Sequence, residues 1–356
     1  MNAVITGTGV GLPKNVVTNE RLARLMDTSD EWIRARSGIQ QRYYASPGEG
    51  SAALGTAAAR AALESAGRRP EDIDAVVFAT MTPDHLFPGN GPFLQRDLGL
   101  RNVPTFDIRQ QCSGFLYGLE LVDSLVKSGK YRRLLLVGAE VHTPFMPWHL
   151  GWDTTIGVSD REVTEAERAV NTTLRDRTVL FGDGAGAVVI EATPEDNVGI
   201  LHVNLYTDGS AWECLSVNGA GFLNRPFVTP EQIESFETVP HMEGREVFRQ
   251  AVTLMPQAVR DVMSEGGLQV SDLDLVLIHQ ANLRIVEGVQ KQLGLDAEKV
   301  PHNIERYGNT TAATLPILLH ECFAEGKIED GSLIAFTALG SGLHWGAALY
   351  RHAEIG

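Results

Sequence analysis

Hydrophobic runs of about five residues alternate along the chain with longer amphipathic stretches. EDIDAVVFAT (71–80) and SDLDLVLIHQ (271–280) each place an acidic turn before a continuous apolar run, which predicts a buried strand. ALGTAAARAALESAG (53–67) and GREVFRQAVTLMPQAVRDVMSEGG (244–267) instead carry apolar residues at helical spacing. Strands that alternate with amphipathic helices predict an α/β fold of packed layers with largely parallel strands.

The order of these elements occurs twice, at an offset of roughly 200 residues. In this repeat, FLQRDLGL (93–100) in the first half corresponds to VQKQLGL (289–295) in the second, and VPTFDIRQQC (103–112) corresponds to VPHNIERYGN (300–309). We interpret the repeat as a duplication. Its halves, residues 1–194 and 195–356, are expected to pack about a pseudo-twofold axis with a cleft between them.

Residues 145–177 break the symmetry, because they have no counterpart in the second half. Trp148 and Trp152, with Phe145, make this insertion more apolar than an ordinary surface loop. Two explanations remain open from the sequence: the insertion covers a substrate, or it packs on the body of the protein or on a second subunit.

Composition narrows the class of protein. Hydrophobic residues make up 43% of the chain and charged residues 21%, as in an ordinary globular protein. The net charge of −15 argues against general binding to nucleic acid or anionic membranes, because phosphates would be repelled. We find no signal peptide and no apolar run long enough to span a membrane, so we expect a cytoplasmic protein. The dispersed histidines and three scattered cysteines favour neither a metal site nor a disulfide framework.

One cysteine stands where a nucleophile would gain reactivity. Cys112 follows a strand-like run and precedes a helical run that begins near Ser113. The partial positive charge of a helix start favours the thiolate and is expected to lower the thiol pKa. Backbone N–H groups at such a turn can also hold an oxyanion. The alternative is a small buried apolar residue, which Cys214 and Cys322 fit better.

A catalytic thiolate needs partners, and the repeat indicates where to find them. His279 ends the strand LDLVLIHQ, and Asn309 lies in the turn ERYGNTTAA, at the position that corresponds to Cys112 in the repeat. If the halves pack symmetrically, Asn309 faces Cys112 and His279 emerges beside it. Taken singly, each has an ordinary structural explanation, a histidine at a strand end and a turn residue.

Six segments together resemble one family. In order, they match the landmarks of the 3-oxoacyl-[acyl-carrier-protein] synthase III family of the thiolase superfamily, over nearly the whole chain. They are MDTSDEWIRARSGI (26–39), CSGF (112–115), FGDGAGAVV (181–189), HQANLRI (279–285), ERYGNTTAA (305–313) and GSGLHWGAALYR (340–351). The resemblance implies a five-layered αβαβα thiolase-like fold and a homodimer.

The resemblance also implies a reaction. An acyl group from an acyl-CoA primer would pass to Cys112, and malonyl-acyl carrier protein would lose CO2 to give a carbanion that attacks the acyl-enzyme. His279 and Asn309 would donate hydrogen bonds to the enolate oxygen. The backbone N–H groups of Cys112 and Ser341 would form the oxyanion hole of the acyl-transfer step. No cofactor beyond the thioester substrates and no metal is implied.

Further residues match the family one by one. Those resembling the CoA-binding set are Thr28, Trp32, Arg36 and Arg175, with Trp32 as the platform for the adenine and Arg175 on its other face. Those resembling the set that meets the phosphopantetheine or the carrier protein are Asn282, Arg284 and Lys291. A local basic patch of this kind would reconcile the acidic chain with an acidic partner.

The match departs from the family near the thiol. Leu339 stands where a Phe is common, and a triple glycine becomes Gly340–Ser341–Gly342. Phe87 is kept, and in the family it lines the tunnel of the neighbouring subunit. The lost wall and the long insertion suggest a primer longer than acetyl, such as a medium-chain acyl-CoA.

Other functions are weaker on the residues. A degradative thiolase would need a second cysteine in the final glycine turn, and TALGSGLHWG has none. GTGVGLP (7–13) is a poor dinucleotide fingerprint, because its spacing is loose and Pro13 follows. A related condensing enzyme or acyltransferase of specialised metabolism, using malonyl-CoA or a second acyl-CoA, remains an alternative.

Overall fold

Two β-sheets organise the chain, and the computed structural model describes residues 1–147 and 150–355 of it. The strands are β1 (Asn2–Gly11), β2 (Asn15–Thr18), β3 (Gln41–Tyr44), β4 (Ala75–Ala79), β5 (Thr105–Ile108), β6 (Arg133–Glu140), β7 (Gly184–Thr193), β8 (Gly199–Thr207), β9 (Leu215–Ser216), β10 (His241–Met242), β11 (Leu275–Ile278), β12 (Leu333–Gly340) and β13 (His344–Arg351). The helices are α1 (Asn19–Ala23), α2 (Asp30–Ser37), α3 (Ser51–Ser65), α4 (Gly91–Leu98), α5 (Gly114–Lys127), α6 (Trp152–Thr155), α7 (Glu165–Thr178), α8 (Pro230–Glu234), α9 (Gly244–Glu265), α10 (Leu283–Leu293), α11 (Ile304–Tyr307) and α12 (Thr314–Ala324).

The two large sheets have matching strand orders. The first runs β1-β7-β6-β4-β5, and the second runs β8-β13-β12-β11. Pairs β4–β5, β4–β6 and β11–β12 are parallel, whereas β1–β7, β6–β7, β12–β13 and β13–β8 are antiparallel. The expectation of largely parallel strands is therefore wrong. The turn 341–343 between β12 and β13 is too short for a crossover helix, so that pair must be antiparallel.

Helices cover both sheets and fill the space between them. Helix α3 packs on the outer face of the first sheet, where Ala58 and Ala62 meet Val137 and Val189 in one apolar cluster. Helices α5 and α12 lie between the sheets, in a second cluster. Helices α9 and α10 cover the outer face of the second sheet in a third cluster. The order helix, sheet, helix, sheet, helix is the five-layered arrangement expected of a thiolase-like fold.

The repeat has a different register from the one expected around the cysteine. A 3₁₀ turn at 111–113 leads into α5, and an equivalent turn at 311–313 leads into α12, so the local offset is 200 residues. The counterpart of Cys112 is therefore Ala312, and Asn309 corresponds to Arg109. The assignment of Asn309 as the answer to Cys112 is wrong. Both motifs begin with Val-Pro, but the loop from this pair to the 3₁₀ turn is three residues longer in the second half.

The insertion packs on the body of the protein. Trp152 is fully buried in an apolar cluster with Leu25, Ile33 and Ile304, and its ring lies 6.2 Å from that of Tyr44. Helix α7 begins with a capping box between Thr164 and Glu167. The insertion also reaches the main cavity, which Phe145 and Asp176 help to line. Packing on the body is therefore observed, whereas a role in covering a substrate stays a prediction; Trp148 of the same segment lies outside the described residues.

All strands of the first sheet lie before residue 194, and all strands of the second lie after it. The division into halves 1–194 and 195–356 accordingly stays our proposal for the domain boundary. Across the described residues, no helix has the length and apolar character that crossing a membrane requires. Within the same residues, no group of three or more His, Cys, Asp or Glu side chains is arranged to hold a metal ion.

Candidate active site

A cavity of about 1810 Å³ is lined by residues from both halves. Cys112, His279 and Asn309 all line it, so the fold brings together the three side chains that the sequence singled out. Exposed residues, among them Leu86 and Phe222, line it as well, and the cavity therefore reaches the surface.

The backbone around Cys112 is held tightly. Gln111, the residue before it, has a φ of 46°, a left-handed conformation that side chains with a Cβ seldom adopt. The hydroxyl of Ser113 donates to the carbonyl oxygen of His344 at 2.9 Å. Gly340, at the end of β12, lies so close that a Cβ there would be 2.9 Å from the Cys112 nitrogen. Only glycine allows β12 to approach the thiol turn this closely.

The free enzyme does not favour the Cys112 thiolate. Burial raises the pKa of Cys112 to about 12, and the negative charge of Glu140 adds to the shift. The expectation of a lowered thiol pKa is therefore wrong for the unliganded protein. The backbone N–H at the helix start acts in the expected direction, but Cys112 is only 7% exposed, and removal of water from the anion is the larger effect on its pKa.

His279 presents a neutral imidazole. Its backbone N–H donates to the Thr337 oxygen at 2.9 Å, which fixes the residue at the end of β11. The ring is buried, and neither ring nitrogen has a hydrogen-bond partner among the described residues. Burial lowers the pKa of His279 to about 3, so at neutral pH the ring carries one proton and can donate one hydrogen bond. An unpaired buried donor in a cavity is costly unless a ligand uses it.

Asn309 is oriented by its own loop. Its backbone N–H donates to the Leu180 oxygen at 2.8 Å, and its side-chain Oδ1 accepts the N–H of Thr311 at 2.9 Å. Because Oδ1 is occupied, the Nδ2 amino group is the free part of the amide, and it has no acceptor among the residues that the structure describes. His279 and Asn309 thus offer two neutral donors to a ligand beside the thiol, which suits an oxygen that gains negative charge.

Backbone donors complete this region. Ser341 lines the cavity with Cys112, and its hydroxyl donates to the Leu215 oxygen. In the described chain, neither the N–H of Cys112 nor that of Ser341 donates a backbone hydrogen bond in the turns that surround the site. Both are therefore available to a ligand oxygen. Leu339, the residue expected to widen the primer pocket, also lines the cavity and is buried.

The residues expected to bind CoA gather around Trp32. The guanidinium carbons of Arg36 and Arg175 lie 4.2 Å and 4.5 Å from the centre of its indole ring. Arg36 lines the cavity, while Arg175 donates to the backbone oxygen of Asp27. The Oγ1 atom of Thr28 is buried without a partner in the described region. The structure therefore brings Trp32, Arg36 and Arg175 together, and of the four residues only Arg36 lines the cavity.

The residues expected to meet the carrier are only partly together. Asn282 caps α10 by accepting the N–H of Arg284 at 2.9 Å, and its amide donates to the Arg36 oxygen at 3.0 Å. Asn282 and Arg284 line the cavity. Lys291 lies further along α10, is exposed and is not part of the lining. Phe87 is not part of the lining either and is 81% exposed, so any role in a pocket requires a second subunit.

Sequence reasoning missed three buried polar residues near the site, Glu140, His142 and Thr311. Glu140 accepts hydrogen bonds from Thr82 and Thr80, and burial raises its pKa to about 7. His142 and Thr311 line the cavity. One signal could have found the first two: the run LLLVGAEVH ends in ionisable residues, whereas its counterpart in the second half, LIAFTALGS, has none.

Comparisons with known proteins agree over the whole chain. The family model for 3-oxoacyl-[acyl-carrier-protein] synthase III matches residues 106–160 and 163–209, and the model for its C-terminal part matches 263–352. The β-ketoacyl-[acyl-carrier-protein] synthase III of Erythrobacter litoralis is 41% identical, over 99% of this chain and 100% of that protein. The solved 3-oxoacyl-[acyl-carrier-protein] synthase III of Aquifex aeolicus is 40% identical with a TM-score of 0.83, over 98% and 100% of the two chains. The priming β-ketosynthase from the R1128 polyketide pathway is 30% identical with a TM-score of 0.82, over 99% and 97%.

Proposed function

The chain belongs to the 3-oxoacyl-[acyl-carrier-protein] synthase III family, and from that premise we propose that Cys112, His279 and Asn309 catalyse a decarboxylating condensation. An acyl-CoA primer and malonyl-acyl carrier protein would give a 3-oxoacyl-acyl carrier protein, in fatty-acid initiation or a related pathway. One observation carries the assignment of residues: a buried thiol shares its cavity with two neutral donors that have no acceptor among the described residues.

The first step is acyl transfer. The Cys112 sulfur attacks the thioester carbonyl of the primer, the carbon–sulfur bond to CoA breaks, and the thiol proton leaves with CoA. The N–H groups of Cys112 and Ser341 stabilise the tetrahedral oxyanion. Because the attacking and leaving groups are both thiols, the exchange is nearly balanced in energy, and the raised pKa of free Cys112 governs its rate more than its equilibrium.

The second step is decarboxylation and carbon–carbon bond formation. The malonyl carboxylate leaves as CO2, and its electron pair passes to the thioester as an enolate. The His279 ring N–H and the Asn309 Nδ2–H donate to the enolate oxygen. The α-carbon then attacks the acyl-enzyme, and Cys112 leaves as a thiolate. A neutral His279 suits this role, because an imidazolium would protonate the enolate too early.

The arginine-flanked indole supports a CoA site. Trp32 offers an aromatic face for the adenine, and Arg36 and Arg175 offer positive charge for the nucleotide phosphates. Thr28 contributes a buried hydroxyl without a partner among the described residues. Since guanidinium groups already cover the ring, we expect at least one of them to move when the adenine binds.

The carrier protein would approach at the same mouth. Arg284 lies at the start of α10, and Lys291 lies two turns later on the same helix. Asn282 fixes this start by capping the helix and by contacting the chain of α2. Arg284 at the cavity and exposed Lys291 further along α10, on a chain with a net charge of −15, would direct an acidic partner to this surface.

We also propose a homodimer and a primer longer than acetyl. Strand β5 forms an edge of the first sheet, with no further strand of the described chain beyond it, and exposed Leu86 and Phe87 lie on the loop after β4. Both features suit an interface in which Phe87 reaches the partner's cavity. The large cavity and Leu339 favour a medium-chain acyl group. We propose a cytoplasmic location as well, since acyl-CoA and malonyl-acyl carrier protein must both reach the cavity.

The decisive experiment separates the two steps. Cys112 acylation is followed by intact mass over a panel from acetyl-CoA to octanoyl-CoA, and condensation is then started with malonyl-acyl carrier protein. We expect Cys112→Ala to form no acyl-enzyme and Cys214→Ala to acylate normally. Asn309→Ala should acylate but lose condensation. Normal condensation by Asn309→Ala would refute its role, and a strong preference for acetyl-CoA would refute the longer primer.

A second candidate is a condensing enzyme of specialised metabolism. The similarity to a priming ketosynthase of a polyketide pathway favours it, because the two proteins are 30% identical over almost their full lengths. The malonyl carrier distinguishes the two functions. Condensation with malonyl-CoA, or with a second acyl-CoA, at rates that exceed those with malonyl-acyl carrier protein would support this alternative.

A further inference from the structure

His142 is a buried histidine that the reaction described above does not use. It follows β6 directly, is 1% exposed and lines the same cavity as Cys112. Unlike His279, it has a partner for both ring nitrogens: Nδ1 lies 3.1 Å from the carbonyl oxygen of Gly182, and Nε2 lies 3.4 Å from the hydroxyl of Thr311. Its backbone N–H donates to Asp183 at 2.7 Å, which fixes the residue in place.

The partners determine the tautomer of His142. A carbonyl oxygen can only accept a hydrogen bond, so Nδ1 carries the ring proton and donates to the Gly182 oxygen. Burial lowers the pKa of His142 to about 4, and the ring therefore has a single proton at neutral pH. Nε2 is then an acceptor that lies 3.4 Å from the Thr311 hydroxyl, and the Glu140 carboxylate is a second acceptor for the same hydroxyl proton. His142 thus lies between Gly182 and Thr311, donating to the first and accepting from the hydroxyl of the second when that proton is not donated to Glu140.

Both residues joined by His142 also bind Asn309. The Thr311 N–H donates to Asn309 Oδ1 at 2.9 Å, and the Gly182 N–H donates to the Asn309 backbone oxygen at 3.0 Å. The four residues therefore form a closed ring of hydrogen bonds around the Asn309 amide. The ring holds Oδ1 and leaves Nδ2 as the part that faces a substrate.

Thr311 needs this support. Its φ is 44°, which is a strained conformation for a β-branched residue. Gln111 has a φ of 46° at the equivalent place in the first half, directly before Cys112. In each half, a residue with a left-handed backbone conformation begins the turn and helps to orient a group of the site. In the second half, two side chains of the first half, His142 and Glu140, contact that residue through its hydroxyl.

We propose that His142 is a positioning residue that fixes the Asn309 carboxamide for the malonyl step. This inference rests on the proposed function, in which Asn309 serves decarboxylation and not acyl transfer. Loss of His142 would leave Thr311 free to relax and the amide free to rotate, and the donor to the enolate would be misplaced. Acylation of Cys112 uses other donors and should continue.

A purely structural role is the competing explanation. The imidazole stacks on the Phe181 ring at 4.7 Å, and that packing alone could account for a buried ring. His142→Phe keeps an aromatic ring at this place and removes both hydrogen bonds. Thr311→Val removes the other end of the contact, while Thr311→Ser keeps the hydroxyl and serves as the matched control.

The test measures two rates for each variant. Cys112 acylation is read by intact mass, and release of CO2 from malonyl-acyl carrier protein by the acylated enzyme is read in a single turnover. We expect His142→Phe and Thr311→Val to release CO2 at least about tenfold more slowly, with acylation within about twofold of the parent. The double variant should resemble the single ones, because both act on one contact. Thr311→Ser should keep the parent rates.

Asn309→Ala is the reference that separates the two proposals. If Asn309→Ala releases CO2 normally, the proposed role of Asn309 fails, and the positioning role fails with it. If Asn309→Ala is slow while His142→Phe and Thr311→Val keep the parent rate, only the positioning role is overturned. A drop of equal size in acylation and CO2 release would assign His142 to the packing of the whole pocket and would also overturn it.

Discussion

The guanidinium carbon of Arg175, in α7, lies 4.5 Å from the centre of the indole ring of Trp32, in α2. The contact joins the inserted segment to the body at the side of the cavity where we expect the CoA nucleotide. Arg36 approaches the same ring at 4.2 Å. The aromatic platform is therefore already in contact with cations before a substrate arrives.

Arg175→Ala should weaken the binding of acyl-CoA and leave the malonyl step unchanged. Loss of a stacking and charged partner for the nucleotide is expected to raise KM for acyl-CoA by about tenfold, with little change in kcat. Steady-state kinetics with varied acyl-CoA and fixed malonyl-acyl carrier protein measures the effect. Arg34→Ala is the matched control, because Arg34 is an exposed arginine of α2 whose one ion pair among the described residues is with Asp30 at the surface. Equal KM values for the two variants would remove Arg175 from the CoA site.

Gly340→Ala should slow the acylation of Cys112 by displacing its thiol, although the thiol group itself is unchanged. A Cβ at this position would lie 2.9 Å from the Cys112 nitrogen and 3.1 Å from its Cβ, so the thiol turn must shift. A displacement of this kind is expected to slow acylation by about a hundredfold. The acylation rate from intact mass, with thermal unfolding as a check on folding, measures it.

The control for this substitution is Gly209→Ala, since a Cβ at Gly209 meets no atom within 4 Å. That variant should acylate at the parent rate. An acylation rate for Gly340→Ala within a few-fold of the parent would mean that the turn can move at little cost, and that the fit between β12 and Cys112 is not needed for reactivity.

The sequence predicted the α/β layers and the duplication, because buried runs and amphipathic periods record which faces are covered. The catalytic roles of Cys112, His279 and Asn309 stay a prediction. The sequence also assigned Asn309 as the counterpart of Cys112 in the repeat, and that assignment was wrong. The hydrophobic pattern does not reveal the length of a loop. Because the loop before the turn is three residues longer in the second half, the motif comparison matched Cys112 to Asn309 instead of Ala312. The site still assembles, because His279 and Asn309 enter the cavity from two loops of the second half.

The ionisation of Cys112 and the part played by His142 could not be predicted from the residues around them. A helix start was visible in the sequence, but the depth of burial that raises the thiol pKa depends on packing from β12. His142 contacts Gly182 and Thr311, which lie 40 and 169 residues away along the chain. The contact with Gly182 forms within the first half, whereas the contact with Thr311 exists only once the two halves have packed together.

Leu339→Phe should shift the choice of primer toward short chains. Leu339 is 5% exposed and lines the cavity beside the thiol, so a larger ring must occupy space that we assign to the acyl chain. We expect kcat/KM for octanoyl-CoA to fall at least about tenfold more than kcat/KM for acetyl-CoA. The acetyl reaction is the internal control for damage to the site. A parallel fall for both primers would place the acyl chain elsewhere in the cavity.

Glu140→Gln should change how the stability of the protein depends on pH. Burial raises the pKa of Glu140 from 4.5 to about 7, and hydrogen bonds from Thr82 and Met81 only partly oppose this. The folded state therefore holds the proton more tightly than the unfolded chain. The contribution of Glu140 to the free energy of unfolding is fully present below pH 4.5, falls as the pH rises to about 7 and stays low above it.

Urea unfolding of the parent and of Glu140→Gln at pH 5 and pH 8 tests this. Glutamine keeps the shape and does not ionise, so the variant should gain stability relative to the parent by up to about 3 kcal/mol between the two pH values. Other buried groups titrate in both proteins and cancel in the comparison at each pH. Glu64→Gln, at an exposed position of α3, should follow the parent curve. If the difference between parent and Glu140→Gln is the same at both pH values, then the carboxyl of Glu140 has the same proton affinity in the folded and unfolded chains, and burial does not control its charge.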